Sequence, residues 1–270
     1  VTRQLEKEKI DIFHGLSNEL PLNIHQSEVK SIVTIHDLIF LRYPQYYHSI
    51  DRKIYTYKFR KACENADKII AISECTKGDI MDFFRFPADK IEVVYQGCDP
   101  SFIHPVAEEK KREVRAKYQL PDHYILNVGS IEERKNALSA VQALMMLPEQ
   151  IHLVIVGRHT EYTDKVEHFI KENKLEERVH IISNVPFDDL PAFYQLAEIF
   201  VYPSRFEGFG IPIIEALYSG IPVVAATGSC LEEAGGPDSI YVHPDDIKGM
   251  ADAFKQIYTD PERKKNMIEK

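Results

Sequence analysis

Apolar, β-branched runs recur along the chain at short intervals, separated by polar amphipathic stretches. The runs are IDIFH (10–14), SIVTIH (31–36), KIIAIS (68–73), IEVVYQG (91–97), YILNVGS (124–130), IHLVIVG (151–157), VHIIS (179–183), IFVYPS (199–204), IPVVAAT (221–227) and SIYVH (239–243). Several are apolar at consecutive positions, which predicts central strands of a parallel sheet covered by helices on both faces. Between them, DRKIYTYKFRKACENA (51–66), NALSAVQALMML (136–147) and DDIKGMADAFKQIY (245–258) carry helical periodicity. Strand–helix alternation of this kind predicts a doubly wound α/β architecture.

A break falls at GCDPSFIHPV (97–106), where two prolines, a glycine and an aspartate follow a complete strand and precede a charged helix. Residues 1–103 therefore read as one α/β unit and 104–270 as a second. The second holds about six strands, enough for a full sheet, and the first only about four. A length of 270 residues suits two domains of ordinary size.

Composition narrows the classes. The net charge of −9 argues against a broad nucleic-acid surface. Lys110–Arg112 and Arg263–Lys265 read as solvated helix faces, whose only membrane affinity would be a weak pull toward anionic headgroups. Four widely spaced cysteines, Cys63, Cys75, Cys98 and Cys230, form no C-x-x-C pair and fit buried free thiols in a reducing compartment. The opening residues lack both an initiator methionine and a signal-peptide core, and no run of about eighteen apolar residues occurs. The expectation is a cytoplasmic protein, or one peripheral at the inner face of a membrane, seen as part of a longer chain.

Chemistry concentrates in SRFEGFGIPIIEALYSGIPVVA (204–225). Its strand, loop and proline-opened helix match the geometry at which open α/β sheets bind ligands. Gly208 and Gly210 let the backbone bend and approach a ligand. The N–H groups of Phe209, Gly210 and Ile211 then face an anion at the positive end of the helix dipole. Glu207 and Glu215 flank that point. A carboxylate is a poor partner for phosphate but a good acceptor for vicinal hydroxyls, so the pair suggests ribose on one side of a diphosphate and sugar on the other. The alternative is ordinary acidity at a helix start.

NVGSIEERKNALSAV (127–141) offers a second strand-to-helix junction, with Gly129 and Ser130 at the strand end and Arg134 and Lys135 before the helix. Two adjacent cations there suit phosphate, although EERK also fits a surface charge patch. No D-x-D occurs, nor any metal-ligand spacing, so a bound diphosphate would be met by Arg134, Lys135 and the helix N-terminus, with no metal cofactor. In TIHDLIFLRYP (34–44), His36 and Asp37 follow a strand and would face a cleft between the two units; a lone histidine at a strand end is more often structural, but beside Asp37 and opposite an anion site it becomes a contact for the transferred group.

These segments, with NVPFDDLPAFYQLAEIFVYPSRFEGFGIPIIEALYSGIPVVAA (184–226) and ADKIIAISECTKGDI (66–80), resemble glycosyltransferase family four over nearly the whole chain. The E-x(7)-E element, Glu207 to Glu215, carries most of the specificity. The resemblance implies the GT-B fold: two Rossmann-like doubly wound domains facing a cleft, the N-terminal one here lacking its first strands. It implies retaining, metal-independent transfer from a nucleotide-sugar donor. Carried over, Glu207 would contact the donor sugar, Glu215 the ribose hydroxyls, and Arg134 and Lys135 the diphosphate, assisted by backbone N–H groups around Phe209 and Gly210. Val185 would lie under the base, and His36 would reach the donor sugar or phosphate.

Three departures qualify this. Ser130 stands where many members have arginine, and this G-[ST]-x-E-x-R-K-N version resembles the subgroup associated with mannosyl transfer from GDP-mannose. The N-terminal unit lacks the strands that carry a phosphate-approaching Gly-rich loop, and the sequence stops before a final helix. The expectation is transfer of a hexose to a glycan or lipid-linked acceptor, against two alternatives: a UDP-sugar enzyme of the same family, or a nucleotide-sugar-binding module without turnover.

Overall fold

The structure is a computed structural model and describes residues 1–269. All ten apolar runs form strands, and every strand pairing is parallel. The chain divides into two compact units, one of Val1–Gln96 with Glu207–Phe209, the other of Gly97–Phe206 with Gly210–Lys270.

The first unit contains β1 (Ile12–Gly15), β2 (Lys30–Ile35), β3 (Lys68–Ala71) and β4 (Ile91–Val93), lying side by side in chain order. Val33, Ile35, Ile69 and Ala71 are fully buried and fill its core with Ala62, Cys63 and Ile80 from the flanking helices. β1 is a sheet edge, and no neighbouring strands in this sheet reverse the chain order.

The second unit contains β5 (Tyr124–Val128), β6 (His152–Val156), β7 (Val179–Ile182), β8 (Ile199–Tyr202), β9 (Val223–Ala226) and β10 (Ile240–Val242), in the order β10-β9-β8-β5-β6-β7. Chain order reverses between β5 and β8, which creates a topological switch point. β5 is in register with β6 over five residue pairs but with β8 over only two, Ile125 with Ile199 and Leu126 with Phe200. Beyond those pairs the two strands part. Buried Asn127 spans the gap, its Nδ2 donating to the Val201 carbonyl at 2.9 Å, so that oxygen is not stranded where the ladder stops.

An ion cluster ties two helices of this unit together. Asp189, buried just before the helix Leu190–Leu196, accepts from Lys117 Nζ at 2.7 Å and Tyr118 Oη at 2.8 Å, and Lys110 Nζ lies 2.6 Å away. Lys110 is therefore held at a buried carboxylate instead of standing on a solvated face as the sequence suggested. Lys111 pairs with Glu108. Burial alone would raise the Asp189 carboxyl, but these three donors outweigh it and hold the group well below the usual carboxylate range.

Cys63 and Cys230 are buried, whereas Cys75 and Cys98 are only half-buried, against the expectation of uniform burial. Among the described residues no helix is long and apolar enough to cross a membrane.

The Asp189 cluster has a definite pH signature. Unfolded, its carboxyl takes up a proton near about pH 4; folded, it resists protonation. Its stabilisation is therefore present above that value and lost as pH falls below it. Asp189→Ala should lower unfolding free energy by about 2 kcal/mol at neutral pH and flatten the acid limb of stability. Urea denaturation across pH reads both effects.

Candidate active site

The switch point gathers most of the second unit's predicted residues. Gly129 directly follows β5 with φ of +150°, and its N–H donates to the Val156 carbonyl at 2.9 Å. Ser130 follows, half-buried. A Cβ built on Gly129 would meet Lys135 Nζ at 3.3 Å and Cδ at 3.2 Å, so the Lys135 side chain lies along this glycine. Lys135 Nζ donates to Tyr202 Oη at 3.2 Å and stands 5.6 Å from that ring's centre. The cation thus rests at the carboxyl ends of β5 and β8 together.

Arg134 has a different environment. Its guanidinium is largely buried and donates to the Phe206 carbonyl, and its own carbonyl accepts from Arg205 N at 2.9 Å. Arg134 therefore braces the loop that follows β8, which leaves Lys135 as the better-placed point charge. Asn136 strengthens the same junction. It takes φ of +57°, in the left-handed region that asparagine tolerates. Its buried Nδ2 donates to the carbonyls of Pro203 at 3.2 Å and Pro244 at 2.9 Å. One amide thus joins the loops after β8 and β10 to the residue that begins a helix, Ala137–Leu144.

After β8 the chain runs through Pro203–Phe206 to Gly210, which has φ of +125° and precedes the helix Ile211–Tyr218. A side chain at Gly210 would be strained by its φ and would meet Leu231 at 3.1 Å. Ile211 opens the helix, Pro212 contributes no N–H, and Ile213 N already donates to the Gly210 carbonyl at 2.9 Å. Of the first three helical residues, only Ile211 therefore has an N–H without a helical acceptor.

Glu215 lies one turn further on, half-buried, its Oε2 accepting from Tyr194 Oη at 2.6 Å. Burial raises the Glu215 carboxyl, and the Tyr194 hydrogen bond opposes that rise. Tyr194 is fully enclosed, with edge-on contact to Phe102 at 5.3 Å and a tilted contact with Phe200 at the same separation. Burial and the neighbouring Glu215 keep its phenol protonated, hence a donor. Sequence reading missed Tyr194, Tyr202 and Asn136. Nothing in PAFYQL marks its tyrosine as other than core, whereas Asn136 directly after Arg-Lys at a helix start was a usable signal.

Val185 is set apart from this group. It follows β7 at the sheet's outer edge, and β6 lies between β7 and β5.

Glu207, Gly208 and Phe209 group with the first unit. There the Gly208 carbonyl accepts from Ser73 Oγ at 2.8 Å, and a Cβ on Gly208 would collide with the His36 carbonyl. Phe209 is buried and stacks on Tyr95, centroids 5.4 Å apart. Glu207, half-buried, adjoins this packed pair. His36 follows β2; its Nε2 lies 2.7 Å from the Leu16 carbonyl, so that nitrogen carries a proton and donates. Its backbone N–H donates to Asn18 Oδ1 at 2.7 Å. Asp37 accepts from Ile39 N at 3.0 Å, a local turn contact. His14 lies 2.8 Å from Thr34 Oγ1 across neighbouring strands. Among the described residues, no three His, Cys, Asp or Glu side chains converge as metal ligands.

Comparison with known proteins identifies the family and the fold. Residues 109–270 match the family model described as glycosyl transferases group 1, and residues 1–102 match that of glycosyltransferase family 4. The O-antigen chain mannosyltransferase B of Escherichia coli is 31% identical over 255 residues, which cover 92% of this chain and 65% of that protein; the chain thus spans just under two thirds of that relative. A glycosyltransferase structure from Rickettsia africae superposes with a TM-score of 0.82 at 22% identity, covering 99% of this chain and 72% of the other. Anabaena HepE in complex with UDP-glucose gives 0.80 at 16% identity, covering 99% and 74%. The fold is GT-B, and the chain belongs to the glycosyl transferases group 1 family.

Proposed function

We propose that this chain carries the donor site of a retaining, metal-independent hexosyltransferase that uses GDP-mannose and delivers mannose to a glycan or lipid-linked acceptor. The observation that carries the reading is the switch point. There the β5 end supplies Gly129 and Lys135, and the element after β8 supplies the Ile211 helix start and Glu215. A cation and a helix N-terminus suit a diphosphate, and an oriented carboxylate suits ribose hydroxyls. Similarity to a mannosyltransferase at 31% identity supports the choice of sugar. Four widely spaced cysteines without a C-x-x-C pair fit a reducing, cytoplasmic setting, with peripheral membrane contact when the acceptor is lipid-linked.

In this reading the bond between the anomeric carbon and the leaving diphosphate oxygen breaks first, and its electron pair goes to the diphosphate. Lys135 and the Ile211 N–H stabilise that charge. Arg134 acts chiefly by holding the loop. Glu207 contacts the donor sugar hydroxyls and supports positive charge developing at the anomeric carbon. The acceptor hydroxyl attacks on the same face, and its proton passes to a departing phosphate oxygen. His36, donating through Nε2 to Leu16, would present its other ring nitrogen or its main chain to the sugar.

Calorimetric titration with GDP, UDP and guanosine in EDTA tests the donor assignment. GDP should bind without metal and more tightly than UDP; tighter binding of UDP would reassign the base. Lys135→Ala should weaken GDP binding about tenfold or more while changing guanosine binding little, because only the diphosphate meets the ammonium. Equal losses for both would remove its phosphate role.

Glu207→Ala should lower the transfer rate by about 10²-fold or more with an unchanged thermal midpoint. Undiminished turnover would refute its role at the anomeric centre, and failure of the wild type to transfer would favour a binding module.

The Tyr194–Glu215 hydrogen bond sets a pH dependence. Glu215 accepts ribose hydroxyls when ionised, and its raised carboxyl loses that charge earlier on acidification than an ordinary glutamate. Guanosine affinity should therefore decline at a pH above the usual glutamate range of about 4.3. Tyr194→Phe removes the interaction that opposes the rise, so its decline should begin at still higher pH. Coincident pH profiles for the two proteins would disprove the coupling.

A further inference from the structure

Strand β7 is the free edge of the second unit's sheet and pairs on one side only, with β6. One of its faces is apolar: Val179 and Ile181 share the core with Leu153 and Ile155 of β6. The other face carries a histidine on each strand, His152 on β6 and His180 on β7, both half-buried. His152 Nδ1 lies 3.0 Å from His180 Nε2. The ring centroids are 5.3 Å apart, and the ring planes differ by 18°. Nitrogens that close under centroids that far apart leave the rings end to end, not face to face. The contact is therefore a hydrogen bond between imidazoles, one nitrogen donating and the other accepting.

Such a bond counts protons. Two neutral rings supply one donor and one acceptor. One added proton leaves the pair joined, an imidazolium donating to an imidazole in a charge-assisted bond. A second puts hydrogen on every ring nitrogen, and the facing pair then has no acceptor.

The surroundings resist that charging. Burial holds both rings below the usual imidazole range; Arg178 and His123 add to it at His152, and His152 itself adds to it at His180. Glu177 acts in the opposite sense on both rings. Arg178 stays charged throughout, its guanidinium donating to the carbonyls of Pro148 at 3.0 Å and Ile151 at 3.1 Å. His123 is paired with Glu198 at 3.0 Å. Unfolded, each histidine of the pair takes up a proton near about pH 6.5; folded, both resist it. The stabilisation is therefore complete above that pH and lost as pH falls below it.

Main-chain bonds hold the two ends of β7. Leu153 N donates to the Arg178 carbonyl at 2.8 Å before the strand, and Gly157 N to the Ile182 carbonyl at 3.0 Å at its end. Ser183 Oγ donates to the Gly157 carbonyl at 2.7 Å just beyond. Among the described residues, the imidazole bond is the one side-chain hydrogen bond between the bodies of β6 and β7. Past β7 the chain turns at Asn184, with φ of +58°, and reaches Val185.

We propose that the His152–His180 pair is an acid-released latch, which fastens the edge strand β7 and the turn bearing Val185 to β6. The latch depends on no assignment of substrate.

The test is amide hydrogen exchange of the ligand-free 270-residue chain between about pH 7.5 and about pH 5, a span that brackets the imidazole range. Rates are corrected for the intrinsic effect of pH on exchange. Protection of Val179–Ile182 should fall about fivefold on acidification, the loss of one hydrogen bond, while β5 and β9 keep theirs. His180→Phe should lack that protection at both ends of the span and show no further change. His152→Gln retains an amide oxygen that accepts from either form of His180, so its β7 should stay protected throughout. Constant β7 protection in the wild type, an acid response in His180→Phe equal to the wild type's, or equal losses in β5 and β9 would each overturn the proposal. Should His180→Phe fail to fold, an acid loss in His152→Gln matching the wild type's would overturn it alone.

Discussion

Strands β5 and β8 share only two residue pairs before they diverge, and the geometry of the second unit's candidate site depends on that divergence. The crevice at the carboxyl end opens where strand order reverses, between β5 and β8, and here their pairing also stops early. Because pairing stops early, two things must be supplied: a donor for the abandoned carbonyl and a brace for the loops now free to separate. Asn127 supplies the first by reaching Val201. Asn136 and Arg134 supply the second, by bonding to Pro203, Pro244 and Phe206. Rigid loops at an open sheet end are what a ligand site requires, since a loop that must be ordered on binding spends affinity on its own entropy.

Most of this architecture was legible in the sequence. Buried parallel strands must be apolar on both faces, so IFVY and VVAA declare themselves without alternation, and all ten runs became strands. The proline-opened helix at Ile211 and the helix after Asn136 were equally plain, because caps and breakers act locally. Long-range side-chain pairing leaves no such local signal. Tyr194 and Glu215 are separated by 21 residues, and Lys117 and Asp189 by 72. No periodicity links such partners; only the packed fold brings them together. For the same reason the Lys-Lys-Arg triplet looks solvent-facing in sequence although Lys110 ends at a buried carboxylate. Arg134 and Lys135, adjacent and alike in sequence, have different surroundings in space, one bracing a loop and the other lying along Gly129.

The first unit shows how sterics can fix a loop without any strained residue. The Gly208 carbonyl bonds to Ser73, and its α-carbon approaches the His36 carbonyl so closely that a methyl group would not fit. The glycines of the E-G-F-G segment therefore have different causes: Gly208 is required by proximity, and Gly210 by its backbone angle. Stacking of Phe209 on Tyr95 closes the other side. Glu207 adjoins residues that cannot easily shift, a condition for any carboxylate that must meet a small target.

An aromatic row joins the two charged groups of the second unit. Tyr194 contacts Phe200 at 5.3 Å, and Phe200 stacks near Tyr202 at 5.9 Å. One end of the row donates a hydrogen bond to Glu215, and the other accepts one from Lys135. Phenols suit both tasks because the same hydroxyl can donate to a carboxylate or accept from an ammonium while staying neutral. Each charge is thereby oriented by a partner that does not cancel it, as a direct ion pair between them would. The rings also exclude water and lower the local dielectric, which strengthens whatever field reaches a ligand. The cost falls on Glu215, whose ionisation burial opposes, and the Tyr194 hydrogen bond partly offsets it. The row thus fixes the positions of two opposite charges at one sheet end and keeps each from being neutralised by the other.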